Sequence, residues 1–136
     1  TLFPYTTLFR SIVFTGIVSA ADIPQILKNA AVLALDRPDS LQAQCGFPTK
    51  LGEYLLTENP VIVTKVGDIP LFLKDGETAL LVEERNPKEF SSKIIWALEH
   101  PEEATEIGKA GAQVAMREFN YLNETKKIID VINRLS

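Results

Sequence analysis

The chain has 136 residues, of which 46% are hydrophobic and 24% charged, with a formal net charge of −4 and a pI near 5.0. That suits one domain able to bury a core, and an acidic balance without a basic run speaks against nucleic acid as a partner. A single cysteine, Cys45, and a single histidine, His100, exclude an intramolecular disulfide, a cysteine-based metal site and a His–His zinc pattern.

No apolar run approaches the roughly 18 residues of a membrane span. Thr1 to Ser11 reads as a non-native leader, because it resembles translated sequencing-adapter read-through. Coding is then expected from near Ile12, with a native strand and loop as the alternative. Ser11 to Val18 is β-branched and aromatic with Gly16 near its end, which predicts a buried strand closing in a turn. A helix follows to about Asn29, capped by Ser19 or Asp22, with Pro24 in its first turn and Ile23, Ile26 and Leu27 on one side. Ala31 to Leu35 predicts the next strand, and Asp36 to Phe47, broken by Pro38 and Gly46, predicts a loop.

A helix from about Thr49 to Thr57 leads to a strand over Pro60–Lys65. Gly67 to Lys74 reads as a turn and short helix, and Asp75-Gly76 as a tight turn into the strand Ala79–Val82. Asn86-Pro87-Lys88-Glu89 has the composition of a helix start; Phe90, Ile94 and Leu98 then line one face as far as His100. Pro101 opens a second helix, with Ile107, Gly111 and Val114 facing inward. A third carries Ile128, Ile129, Ile132 and Leu135. Strands alternating with helices predict an α/β fold with a parallel sheet of about four strands and a helical C-terminal tail.

The stretch Cys45-Gly46-Phe47-Pro48-Thr49-Lys50-Leu51-Gly52-Glu53 runs from a broken loop into apolar periodicity at Leu51, Tyr54 and Leu55. It reads as a loop feeding the first turn of a helix between two strands, where parallel α/β units bind ligands at the carboxyl edge. Unpaired N–H groups of a first helical turn suit phosphate. Thr49 and Glu53 share a helix face, and a carboxylate there can accept two hydrogen bonds from a vicinal diol such as a ribose.

The run from Gly46 to Leu55, followed by Asn-Pro-Val-Ile-Val-Thr at 59–64, resembles the donor-binding segment of GT-B glycosyltransferases of the large retaining group (family 4-like, glycosyl transferases group 1). Asp75, Gly76 and Leu80 to Val82 match that family's next-to-last strand, and Phe14 and Gly16 match its Val-x-Phe-x-Gly strand. The resemblance implies that residues 12–136 form a partial nucleotide-sugar-binding C-terminal domain, Rossmann-like, one half of a GT-B fold. It implies an intact hexosyltransferase that moves a sugar from a nucleoside-diphosphate sugar to an unidentified acceptor with retention, without metal or cofactor. A cytoplasmic location is expected, any contact with a membrane belonging to the N-terminal half.

By the same resemblance Glu53 would bind the donor ribose. Gly46, Phe47, Thr49 and Lys50 would hold the sugar and diphosphate largely through backbone N–H groups, and Gly16, Ile17 and Val18 the nucleobase. The first glutamate of the family's Glu-x7-Glu pattern is Cys45 here. Catalytic residues are left unassigned, because the family's Arg/Lys pair and glycine-rich loop lie outside this chain; alone it is expected to bind nucleotide weakly and transfer nothing. Each residue also has a plain reading: Glu53 and Lys50 as solvated helix residues, Cys45 as a loop residue, His100 as a helix C-terminus, and Trp96, Phe119 and Tyr121 as packing. The Cys45 departure leaves open a second reading, a non-catalytic Rossmann-like nucleotide-binding or interaction module.

Overall fold

A computed structural model describes residues 11–135. The elements run α1 (Ile23–Lys28), β1 (Leu33–Leu35), α2 (Leu41–Cys45), α3 (Thr49–Leu55), β2 (Val61–Thr64), α4 (Ile69–Phe72), β3 (Leu80–Val82), α5 (Pro87–Glu99), α6 (Pro101–Glu118) and α7 (Tyr121–Leu135). The strands form one parallel sheet in the order β1-β2-β3, with Leu33 opposite Val61 and Ile62 opposite Leu80.

The period-2 alternation of the strands sorts the core onto two faces. Leu33, Val61, Val63 and Leu81 point to one side, where Leu51 and Leu55 of α3 and Val114 and Ala115 of α6 cover them. Ile62, Leu80 and Val82 point to the other, against Ala97 of α5 and Ala104 and Ile107 of α6. All four β2 residues are buried, as expected of the central strand of a parallel sheet covered on both faces. No helix among the described residues is long and apolar enough to cross a membrane.

Two expectations change. The Ser11–Val18 run is not a strand: Val13, Phe14 and Ile17 are 82%, 88% and 104% exposed, and the sheet has three strands among the described residues rather than four. β propensity is realised only when a run finds a neighbour. Here the run pairs with none of β1, β2 and β3. In place of the expected turn the chain bends at Ile17, with Gly16 at φ +67°.

The second change lies in the Asp36–Phe47 loop, which contains the helix α2. Ser40 caps it by accepting from the Ala43 N–H at 3.2 Å, and five residues are too few for a periodicity to register.

Smaller shifts are matters of phase. In α5 the inward residues are Phe90, Ile94 and Ala97, while Leu98 is 55% exposed, one position off the stripe. Asp22 is the N-cap of α1 without a side-chain bond; Ser19 Oγ instead accepts from Ala21 in the preceding turn. Asn86 caps α5 as its composition predicts, accepting from the Glu89 N–H at 3.1 Å while its own amide donates to Glu89 at 2.9 Å. The α7 helix buries none of its residues.

Candidate functional site

The helix α3 is set by its apolar face. Leu51 and Leu55, four residues apart, are both 0% exposed and lock into the sheet, so Glu53, on the opposite side, must face outward. There α3 runs beside α1, and the two enclose a groove of about 580 Å³ lined by Ala20, Ile23, Leu27, Lys28, Glu53 and Leu56, among others. Its walls are apolar, with one carboxylate and one ammonium, the composition of a small-molecule site that orients its ligand through a few polar groups. Among the described residues Glu53 has no hydrogen-bond or ion-pair partner, so both of its oxygens remain available.

The loop before α3 is extended at both ends, with Gly46 at φ −124°, ψ 130° and Pro48 at φ −77°, ψ 114°. Among the described residues, the N–H groups of Phe47, Thr49 and Lys50 have no backbone partner, whereas Leu51 donates to the Pro48 carbonyl. The Phe47 ring packs on Phe72 of α4 and on Phe119 after α6, with centroids 5.5 and 5.0 Å away; Phe72 and Phe119 are themselves 5.4 Å apart. This aromatic cluster fastens the loop to two distant elements. Arg37 also holds it, donating to the Gly46 carbonyl at 2.7 Å.

Of the residues expected at a site, Glu53 alone lines the groove. Gly16, Ile17 and Val18 do not, but they lead directly into Ala20 at its end. Gly46, Phe47, Thr49 and Lys50 form the adjoining loop and first turn of α3, and Lys50 is exposed without a partner among the described residues. Sequence reading missed the α1 wall, whose only trace was the apolar pair Ile23 and Leu27, and it missed Arg37, Phe72 and Phe119 as supports. These contacts join residues far apart in the chain and leave no periodicity.

Cys45 ends α2 as an exposed free thiol. His100 is elsewhere: its backbone N–H and ring Nδ1 both lie 2.9 Å from the Trp96 carbonyl, and its ring stacks on the indole at 5.0 Å. The expected helix-terminal role is what it has. Along the carboxyl edge of the sheet, desolvation and the Asp39 carboxylate push Glu84 above the usual carboxylate range, and Arg85 lies 3.8 Å from Asp39. No group of three or more His, Cys, Asp or Glu side chains that could hold a metal occurs among the described residues.

The fold defines the class. Anabaena HepE, solved with UDP and glucose, superposes with a TM-score of 0.79 at 20% identity, covering 96% of this chain and 34% of that one. Sucrose-phosphate synthase from Thermosynechococcus elongatus does so with a TM-score of 0.78 at 21% identity, over 95% and 31%. The architecture is that of one half of a GT-B glycosyltransferase fold.

Sequence makes the assignment narrower. The description "Glycosyl transferases group 1" matches residues 5–100, and the chain belongs to that family. Trehalose synthases of Pyrococcus horikoshii and Thermococcus litoralis are each 31% identical, over 107 and 105 residues, which is 79% and 77% of this chain. The chain spans 25% of the length of each.

Proposed function

We propose that this chain is the donor-binding part of a retaining hexosyltransferase, holding a nucleoside-diphosphate sugar while an N-terminal domain presents the acceptor. The observation that carries the reading is a Glu53 carboxylate on the α1–α3 groove that has no partner among the described residues, next to a loop whose Phe47, Thr49 and Lys50 N–H groups likewise have none among them. The carboxylate accepts the two ribose hydroxyls. The N–H groups, with the Lys50 ammonium, face the diphosphate, whose charge they stabilise as it leaves. The nucleobase lies toward Gly16–Val18, where main-chain groups meet it. Uridine is the base to try first, since HepE was solved with UDP.

In this reading the N-terminal domain completes the site, so the isolated chain is expected to bind nucleotide and to transfer no sugar. The test is an NMR titration of the chain with UDP, GDP and ADP. Shifts clustering at Gly16–Val18 and Phe47–Glu53 for one nucleotide are expected, with affinity reduced about tenfold in Glu53→Gln. A well-folded sample that responds to none of the three would turn the reading toward a non-catalytic module, which Cys45 in place of a family glutamate favours.

A further inference from the structure

Arg37 supports the loop before α3, and three of its groups are engaged. Its N–H donates to Thr64 Oγ1 at 2.9 Å, and the Thr64 hydroxyl donates back to the Arg37 carbonyl at 3.2 Å. Thr64 ends the central strand β2, is 1% exposed, and is a buried polar side chain of the core. A hydroxyl that both accepts from and donates to one residue's main chain fixes that residue against the sheet.

From this anchor the guanidinium reaches forward and donates through Nη1 to the Gly46 carbonyl at 2.7 Å. Among the described residues no carboxylate forms an ion pair with Arg37, so the charge strengthens this one contact. The Gly46 carbonyl and the Phe47 N–H belong to a single planar trans peptide and point in opposite directions. Holding the carbonyl on Arg37 therefore aims the Phe47 N–H away from Arg37, and that N–H has no partner among the described residues. The peptide has little freedom otherwise. A Cβ on Gly46 would meet the Gln42 carbonyl oxygen at 3.0 Å, and the Phe47 ring is held by Phe72 and Phe119.

We propose that Arg37, anchored by Thr64, is a positioning residue for donor binding: it orients the Gly46–Phe47 peptide so that the Phe47 N–H meets the sugar diphosphate. The inference rests on the donor-binding reading above. It does not place Arg37 against the ligand.

The test combines UDP and uridine titrations with backbone order parameters of Gly46 and Phe47, in Arg37→Met, Thr64→Val, Thr64→Ser and the double variant Arg37→Met/Thr64→Val. Arg37→Met keeps the aliphatic stem, and Thr64→Val keeps the shape of the buried side chain without its hydroxyl. Each is expected to weaken UDP about tenfold, to leave uridine affinity unchanged, and to lower the order parameters of Gly46 and Phe47 from about 0.85 toward 0.6. Thr64→Ser, which retains the hydroxyl, behaves as wild type. The double variant loses little more than either single one, because both break the same chain of contacts.

Unchanged UDP affinity and order parameters in Arg37→Met overturn the proposal. So do fully additive losses, which would mean that Arg37 and Thr64 act independently. If the wild-type chain binds no UDP, the donor-binding reading fails separately. The clamp is then judged on the order parameters alone, and in Arg37→Met even if Thr64→Val does not fold.

Discussion

Substituting alanine at Gly108 tests how closely the helical tail is seated on the α/β unit. An ideal Cβ there would lie 2.2 Å from the Glu58 carbonyl oxygen and 2.8 Å from that of Asn59. Comfortable contact needs about 3.5 Å, so α6 and the 58–59 turn must part by roughly 1 Å. The turn cannot yield freely. Asn59 donates to the carbonyls of Leu27 and Lys28 at 3.0 and 3.1 Å, and the Pro60 carbonyl accepts from Leu33 at the start of the sheet. Overpacking against such a support costs about 1–3 kcal/mol, at the upper end when backbone is struck. The gain in helix propensity from Gly to Ala returns about 1 kcal/mol, leaving a net loss of about 2 kcal/mol.

Gly52→Ala is the control, because its Cβ would meet only the Phe119 side chain, at 3.8 and 3.9 Å. With no clash, the propensity gain is left over, up to about 1 kcal/mol. Urea unfolding followed by the fluorescence of Trp96, the only tryptophan, measures both. The reasoning is refuted if Gly108→Ala is as stable as wild type, or if Gly52→Ala falls by as much.

Other consequences follow from particular contacts. Burial acts upward on the Asp75 carboxyl but is outweighed by the Lys93 ammonium, 2.6 Å away, and by the Leu81 N–H, so it sits below the usual range. A depressed folded-state value contributes stability above the unfolded pKa of about 3.9, and this is lost as pH falls through the folded value; Asp75→Asn should therefore flatten the acid limb of a stability–pH curve below about pH 4. Asn86→Ala removes the α5 cap and should cost about 1 kcal/mol in urea unfolding. Cys45 should react with a thiol reagent in the folded protein and be slowed by UDP, if the nucleotide covers the neighbouring loop; labelling that is indifferent to UDP would count against a donor at Phe47–Lys50.

The candidate site was legible where one residue's outward placement followed from its helix phase. Leu51 and Leu55 had to face inward, so Glu53 had to face out, and it does. Its counterpart wall on α1 was not legible, because nothing in Ile23 and Leu27 says which helix they will lie beside. The aromatic cluster joins Phe47, Phe72 and Phe119, which the sequence placed in the donor loop, on a short helix and in packing, with nothing to link them.

By itself the sequence determined the alternation of short apolar strands with helices, the start of α5 at Asn86, the inward face of α6 and the loop-to-helix junction at Thr49. Each is written in a period of 2 or 3.6 or in a capping residue, which act over a few neighbours. Only the tertiary structure decided that the Ser11–Val18 run is unpaired, that α2 interrupts a polar loop, that α6 approaches to backbone contact at Gly108, and that Arg37 and Thr64 hold the Gly46 peptide. Strand pairing, close approach and long-range hydrogen bonds depend on which partner arrives across the fold, and no local pattern encodes the partner.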